Sequence, residues 1–386
     1  MINNKAINKR IEWLDGIKGI ACILIFFHHF FLAFYPAIYY GEAGVSHLHG
    51  YDVKLAQSPL SVVLNGNFMV ALFCIISSMV ISMQVMSLED NKDKLSEIIL
   101  KRYLRLMLPV LPIGIVVYFM LKYRVFTNLN AVIYTHSIWL SSYYTAAISF
   151  KQALKDIFIQ IWFYGDSSLS TAFWMLSQLF YGSFLTIILS VISWKANKHI
   201  WLIYIAVFFF FFDKQNFMMA FVLGVLLAWI YKNRTHGFQI YIGFICLIAG
   251  IFLGGYPSGV TPTNIYWFLR FESYVVWHIL GAFLTVYGIW NLNLLHRFMS
   301  LRLFHVLGKI CYSVYLIHIP VLFSLSTYIF LFFYRQGLAY WESVIISLIL
   351  STIAIIELAY LYNKYIERIC EVAQKKILNF FIEGNK

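Results

Sequence analysis

Long apolar runs separated by short polar segments repeat along the whole chain. A helix needs about 20 mostly apolar residues to cross the hydrocarbon core of a bilayer, and it satisfies its own backbone hydrogen bonds there. The runs lie near residues 14–36, 62–86, 104–121, 172–194, 200–212, 216–231, 239–254, 273–291, 310–333 and 341–363. They predict an all-α, polytopic integral membrane protein, with about ten transmembrane helices in a single membrane domain, residues 1–386.

Residues 122–170 depart from this pattern, because they are aromatic and partly amphipathic around Lys151, Lys155 and Asp156. We predict an external region of re-entrant or interfacial helices there. The chain begins with basic residues and an apolar stretch, as a signal peptide does. The stretch 17–35 is long enough to span and lacks a small-x-small cleavage site, so we predict an uncleaved first helix.

Composition and charge favour a membrane protein over a soluble one. Hydrophobic residues make up 61% of the 386 residues and charged residues 12%, which is too little polar surface to cover a soluble core. The formal charge of +12 comes from basic clusters between apolar runs, an arrangement typical of loops at an anionic leaflet and not of nucleic-acid binding. The five cysteines predict neither a disulfide framework nor a metal site.

The distribution of the basic residues predicts the orientation in the membrane. If there are ten spans, 20 of the 29 Lys and Arg residues fall on the side of the two termini and eight on the opposite side, with Lys18 inside the first span. The positive-inside rule then places both termini in the cytoplasm. We therefore predict a multi-pass protein of the cell membrane.

Three ionisable side chains, Lys18, His28 and His29, lie inside the first predicted helix. Ionisable groups at membrane depth are costly and are functional candidates by default. At 100° per residue, Lys18 and His29 share one helix face within about 20° and lie roughly 16 Å apart along the axis, whereas His28 points about 80° away. This geometry favours His29 over His28 as the functional residue. The structural alternative is that both histidines hydrogen-bond neighbouring helices and that Lys18 extends to the headgroups.

The segment 15–21, Asp-Gly-Ile-Lys-Gly-Ile-Ala, followed by His29, resembles the opening motif of acyltransferase family 3, the membrane O-acyltransferases. In that family the motif is Asp-Gly-x-Arg-Gly-x-Ala, with ten residues between the arginine and a histidine. Lys18 occupies the arginine position, which keeps the positive charge but loses the bidentate guanidinium.

Later segments extend the resemblance along the chain, in the family's order. They are 65–79 in the second predicted span, 101–109 (Lys-Arg-Tyr-Leu-Arg-Leu-Met-Leu-Pro), 307–318 (Leu-Gly-Lys-Ile-Cys-Tyr-Ser-Val-Tyr-Leu-Ile-His) and 365–368 (Tyr-Ile-Glu-Arg). A middle segment from Asp166 through Trp174 to Gly182 is also similar, although Leu179 stands where family members usually have Glu.

The resemblance implies transfer of an acyl group, usually acetyl, from a cytoplasmic acyl-CoA to a hydroxyl of an extracytoplasmic glycan, polysaccharide or glycolipid. It implies acetyl-CoA as a co-substrate and no permanently bound cofactor. His29, about 22 Å into its span, is the expected general base. Asp15, Lys18 and His28 are the other catalytic candidates, and Asp15 is expected to pair with Lys18 or with an arginine of the third helix.

Two further groups of residues are singled out. Lys18, Arg102 and Arg105 are expected to bind the CoA phosphates, with simple membrane anchoring as the alternative for the two arginines. The candidates for substrate contact or for structural roles are Ser77, Trp174, Tyr312, His318 and Glu367. For His318 a structural hydrogen bond is expected, and for Glu367 a pairing with Arg368 or with a loop arginine.

Two other functions stay open at this point. A transporter or exporter of a lipid-linked glycan would also have about ten spans, although such proteins more often show broken helices or internal repeats. A degenerate, non-catalytic family member is favoured by Lys18 and Leu179.

Overall fold

The computed structural model describes residues 11–88, 91–195, 199–233, 239–260, 264–269, 271 and 273–383, and this part of the chain is helical with no strand. Ten apolar helices within it coincide with the ten predicted segments. They are α1 (Glu12–Phe34), α2 (Gly66–Met86), α3 (Lys92–Lys122), α4 (Trp174–Lys195), α5 (Ile200–Phe212), α6 (Met218–Asn233), α7 (Ile240–Gly254), α8 (Tyr274–Asn291), α9 (Arg302–Val321) and α10 (Tyr340–Leu361).

Six of the described helical segments are long and apolar enough to cross a membrane. They are Glu12–Phe34, Gly66–Met86, Lys92–Lys122, Thr171–Trp194, Arg302–Arg335 and Tyr340–Phe380. Helix α8 and the following helix Asn293–Met299 meet at a bend of 101°. Taken together, the two are long and apolar enough to form one further span. Helices α5, α6 and α7 have 13, 16 and 15 residues. The protein is therefore all-helical and multi-pass, whereas the count of ten spans stays a prediction.

The cytoplasmic location of both termini also stays a prediction, because residues 1–10 and 384–386 lie outside the described residues. Disulfides are absent from all five cysteines, each of which is described.

Local sequence accounts for the two ends of α1. Glu12 and Asp15 stand in its first turn, where carboxylates interact favourably with the helix dipole. Pro36 follows Tyr35, and a residue before proline is disfavoured in the helical region of φ/ψ space, so the helix ends at Phe34.

The chain divides into two compact units, and several long helices contribute to both. The first unit comprises Met1–Ile25, Gln57–Arg102 and Gln178–Lys309. Inside it, hydroxyl pairs join α2 to α4: the Oγ of Ser78 is 2.9 Å from Oγ1 of Thr186, and the Oγ of Ser82 is 2.8 Å from that of Ser190. Hydroxyls buried between apolar helices hydrogen-bond across the interface because no water is present to satisfy them.

The second unit comprises Phe26–Ala56, Tyr103–Ser177 and Ile310–Lys386. Its helices are interrupted by π-helical turns at Asp156–Gln160, Leu322–Ser326 and Tyr362–Glu367. The second of these continues α9 towards Arg335, and the third joins α10 to α11 (Arg368–Glu383). π-Helical turns are rare in proteins, and those that occur are often found at functional sites.

The region 122–170, predicted to hold re-entrant or interfacial helices, contains several short helices in the second unit. They are Asn128–Thr135, Ile138–Ser141, Phe150–Lys155 and Ile161–Phe163, each too short to cross a bilayer. Their position relative to the membrane stays a prediction.

Candidate active site

Two adjacent histidines of α1 belong to the second unit and differ in their surroundings. His28 is buried and meets the ring of Tyr39 edge-on, with ring centroids 5.2 Å apart. His29 is half-buried. Consecutive helical residues point about 100° apart, so one of the pair can pack into the protein while the other keeps an accessible surface.

His318 of α9 lies directly against His29. Nε2 of His318 is 3.1 Å from Nδ1 of His29, and the ring centroids are 5.1 Å apart. His318 is 1% exposed. Its other nitrogen, Nδ1, is 2.8 Å from the carbonyl oxygen of Tyr315 and 3.2 Å from that of Val314. The second histidine is therefore held by the backbone of its own helix.

These contacts assign the protons on the two rings. A carbonyl oxygen only accepts hydrogen bonds, so Nδ1 of His318 carries the proton that it donates to Tyr315 and Val314. In the neutral ring Nε2 is then an acceptor, and it accepts from the Nδ1–H of His29. The basic nitrogen of His29 is consequently its Nε2.

The indole of Trp139 stacks on the ring of His29. Its ring lies 5.3 Å from that of His29 at an angle of 16°, and Phe323 packs edge-on against it at 4.9 Å. Phe323 belongs to the π-helical turn that follows His318 in the chain. The orientation of the His29 ring is thus limited by a hydrogen bond and by an aromatic face.

Hydrogen bonds hold the short helix that carries Trp139 in place. The Oγ of Ser137 donates to the carbonyl oxygen of Leu32, three residues after His29, at 2.8 Å. Nδ2 of Asn128 donates to the carbonyl oxygens of Leu140 and Tyr143, both at 2.9 Å. Ser137 and Asn128 are fully buried. This part of the region 122–170 is therefore attached to the end of α1.

A second polar cluster of the same unit surrounds Glu367. Its carboxylate accepts hydrogen bonds from the Oγ of Ser313 and, at 2.9 Å, from Nδ2 of Asn363. Arg105, which is exposed, interacts electrostatically with the same carboxylate. The hydroxyl of Tyr312 donates to the carbonyl oxygen of Leu106 at 2.6 Å, one residue from Arg105.

Two backbone oxygens of α3, close to its two prolines, accept hydrogen bonds from neighbouring helices in this cluster. Pro109 and Pro112 stand inside the helix, where a proline has no N–H to donate and its ring pushes against the preceding turn. The carbonyl oxygens three residues before Pro109 and three before Pro112 accept from Tyr312 and Tyr362 respectively. A proline leaves the carbonyl oxygen four residues before it without its helical donor, so the two acceptors here are not the oxygens that Pro109 and Pro112 release.

The opening motif lies in the first unit and packs closely against the segment 299–308. A Cβ at Gly16 would lie 1.9 Å from the carbonyl oxygen of Met299, so only glycine fits there. Asp15 is buried, and its Oδ2 lies 3.6 Å from Nδ1 of His305. Pairing of Asp15 with Lys18 or with an arginine of α3 stays a prediction. At this motif the glycine therefore has a packing role.

The remaining candidates are divided between the units. In the first unit, Lys18 and Arg102 are half-buried, and Ser77 is half-buried beside the buried Ser78. In the second unit, Trp174 begins α4, and Ala172, two residues before it, accepts a hydrogen bond from Tyr315 of the segment 307–318. The structure thus brings together His28, His29 and His318, and separately Arg105, Tyr312 and Glu367.

Trp139 is the residue that sequence reasoning missed. It lies in the segment assigned to an external region, and a tryptophan there is typical of any membrane–water interface. A sequence signal was present: Ser137 precedes Trp139 by two residues and caps its short helix by accepting from Leu140 N–H at 3.3 Å. Nothing in that signal indicates His29 as the neighbour.

Comparison with known proteins agrees with the motifs found along the chain. A family model described as an acyltransferase domain matches residues 11–361. Neither the curated proteins nor the solved structures provide a match to this chain. The family match covers most of the 386 residues, including α1 with its histidines and α9 with His318. The chain therefore belongs to acyltransferase family 3 and is a multi-pass membrane acyltransferase.

Proposed function

We propose that this protein is an O-acyltransferase of the cell membrane that transfers acetyl from cytoplasmic acetyl-CoA to a hydroxyl of an extracytoplasmic glycan, polysaccharide or glycolipid. Family membership supports acyl transfer in general. The observation that carries the proposal is the hydrogen bond from His29 to His318, because it makes Nε2 of a half-buried histidine the basic nitrogen.

The chemistry follows from that assignment. Nε2 of His29 removes the proton from the acceptor hydroxyl, and the oxygen attacks the thioester carbonyl carbon of acetyl-CoA. The tetrahedral intermediate collapses by breaking the carbon–sulfur bond. The CoA thiolate leaves and takes the proton from the His29 imidazolium, which restores the neutral ring. His318 accepts the Nδ1–H of His29 throughout, so the ring cannot turn its other nitrogen towards the substrate.

The donor is expected at the polar cluster of Glu367. Arg105 is exposed there, and an exposed guanidinium can bind a phosphate of CoA through two hydrogen bonds. Lys18 and Arg102 remain candidates for binding phosphates of CoA on the ground of the sequence. Glu367 is held by Ser313 and Asn363, and we assign it the role of a fixed negative charge at longer range from the Arg105 guanidinium.

The test is His29→Ala, measured as acetyl transfer by the purified protein in nanodiscs and as acetylation of envelope glycans by mass spectrometry. General base catalysis contributes about 10²- to 10⁴-fold, so kcat should fall by at least about 100-fold. The matched control is His49→Asn, which changes an exposed histidine of the same unit at a position of positive φ that Asn tolerates. This control should keep wild-type turnover.

Two results would contradict the proposal. Acetylation that survives His29→Ala would show that His29 is not the general base, and it would favour a transporter or exporter of a lipid-linked glycan. Failure of both the wild type and Lys18→Arg to turn over acetyl-CoA would favour a non-catalytic family member, because the variant restores the guanidinium that family members have.

A further inference from the structure

The helix after α10 has an exposed surface that the proposed acyl transfer does not use. Helix α10 has 22 residues and is about 33 Å long, which matches a hydrocarbon core of about 30 Å. The helical segment nevertheless continues without a sharp bend to Phe380. If α10 spans the core along its whole length, the residues just after Leu361 lie at the level of the lipid headgroups and beyond.

Apolar side chains continue along one stripe from α10 into this extension. Leu358, Leu361, Tyr365, Ile369 and Val372 follow one another at spacings of three or four residues, which keeps them on one helix face. Each is between 45% and 64% exposed. The first two belong to the face of α10 that meets lipid, and the other three extend that face past the end of the span. An apolar stripe of this kind is unfavourable in water.

Cations border the extended stripe. Lys364, Arg368, Lys375 and Lys376 are exposed, whereas Glu371 is the one exposed carboxylate among the described residues 364–380. Lys364, Arg368 and Lys376 line a shallow surface concavity together with Tyr365, Ile369 and Val372. The opposite face of α11 packs into the second unit through Gln374 and Leu378, which are buried. Exposed cations and apolar groups thus share one face.

We infer that this face, formed by residues 364–376, is a binding site for an anionic phospholipid of the leaflet in which α10 ends. Lys364 and Arg368 are one helical turn apart and carry the charges that a lipid phosphate recognises. Tyr365, Ile369 and Val372 offer apolar contact to the glycerol and upper acyl chain. Continuity with the lipid-facing stripe of α10 favours a lipid over a soluble anion. The inference is independent of the proposed acyl transfer.

The experiment uses the full chain in nanodiscs of equal parts phosphatidylcholine and phosphatidylglycerol, with bound lipid counted by native mass spectrometry. The double variant Lys364→Gln/Arg368→Gln should bind phosphatidylglycerol more weakly by about fivefold for each cation removed. Lys151→Gln/Lys155→Gln is the matched control, because these lysines are also exposed and four residues apart. It should bind phosphatidylglycerol as the wild type does. Equal loss in both double variants would overturn the inference, since only net charge would then matter.

A second experiment tests whether the site binds the phosphate of a lipid or a phosphate of coenzyme A. Coenzyme A is added to the same protein in nanodiscs of phosphatidylcholine alone. If Lys364→Gln/Arg368→Gln reduces coenzyme A binding and leaves phosphatidylglycerol retention unchanged, the site belongs to the donor and the lipid assignment is wrong. A thermal unfolding measurement of each variant shows that it is folded, and Lys364→Arg, which keeps the charge, should retain the lipid even if the double variant proves unstable.

Discussion

At the scale of single residues, one hydrogen bond determines which nitrogen of His29 is basic. His318 accepts from Nδ1 of His29 and is itself fixed by the carbonyl oxygens of Tyr315 and Val314. A carboxylate in this position would stabilise the imidazolium by its charge, whereas a neutral imidazole only orients the ring. His318 is therefore a positioning residue in the proposed reaction.

Replacing His318 tests this role. His318→Leu should lower kcat about tenfold, because losing a buried hydrogen bond of about 1.5 kcal/mol corresponds to about one order of magnitude in rate. KM for acetyl-CoA should stay unchanged, since His318 contacts no candidate donor residue in the described contacts. Steady-state kinetics of the purified protein measure both constants.

His318→Gln tests whether His318 acts as a hydrogen-bond acceptor or through its packing. Its amide oxygen can accept the Nδ1–H of His29, and glutamine is close to leucine in volume. It should therefore keep more activity than His318→Leu. Equal loss in the two variants would mean that His318 acts through packing and not as a hydrogen-bond acceptor.

The close approach at Gly16 leads to a prediction about stability. A Cβ there would overlap the carbonyl oxygen of Met299 at 1.9 Å, and backbone cannot move aside as a flexible side chain does. Gly16→Ala should therefore destabilise the protein by about 1–3 kcal/mol, as overpacking does. Thermal unfolding in detergent measures the change. Gly44→Ala is the control, because a Cβ at Gly44 meets nothing within 4 Å; a loss of the same size there would contradict the packing argument.

At the scale of elements, the segment 46–53 of the second unit depends on one buried carboxylate. Asp52 accepts from the Oγ of Ser46 at 2.6 Å and from the N–H groups of His47, Val53 and Leu48 at 2.9, 3.1 and 3.3 Å. Burial by itself would raise the pKa of Asp52, but the hydrogen bonds to the ionised form outweigh it and hold the pKa below its ordinary 3.8. The charged form is therefore stabilised in the folded protein.

This shift has a defined dependence on pH. A carboxylate with a lowered pKa in the folded state contributes stability above its unfolded pKa and loses it as the pH falls through the folded value. Asp52→Asn should lower the free energy of unfolding by about 1–3 kcal/mol at pH 5–7, and the unfolding temperature should fall with it. The difference from the wild type should shrink below about pH 4. A constant difference from pH 7 down to pH 3 would contradict the argument.

Element positions were predictable in different degrees. The apolar runs place eight of the ten apolar helices within a few residues. Helix α3 begins at Lys92 and not near 104, and α9 begins at Arg302 and not near 310, because their polar first turns carry no apolar signal. Short helices such as Ile138–Ser141 depend on tertiary contacts, including the bond from Ser137 to Leu32. The π-helical turn at Leu322–Ser326 has no pattern of its own in the sequence.

At the scale of the whole molecule, the orientation in the membrane is the main open prediction. Twenty basic residues fall on the side of the termini and eight on the other if ten helices span. A fluorescent protein fused to the C-terminus should therefore fluoresce, and alkaline phosphatase fused there should be inactive, because both termini are expected in the cytoplasm. Active alkaline phosphatase at the C-terminus would require an odd number of spans if the N-terminus is cytoplasmic.

By itself, the sequence determined the class of protein, the positions of its apolar helices and its family. Hydropathy and the order of motifs depend only on the succession of residues and not on tertiary contacts. It also singled out His29, since helical geometry relates residues within one helix. Only the tertiary structure decided that His318 and Trp139 are the neighbours of His29. They are separated from it by 289 and 110 positions, and contacts over such distances arise from packing and not from any local periodicity.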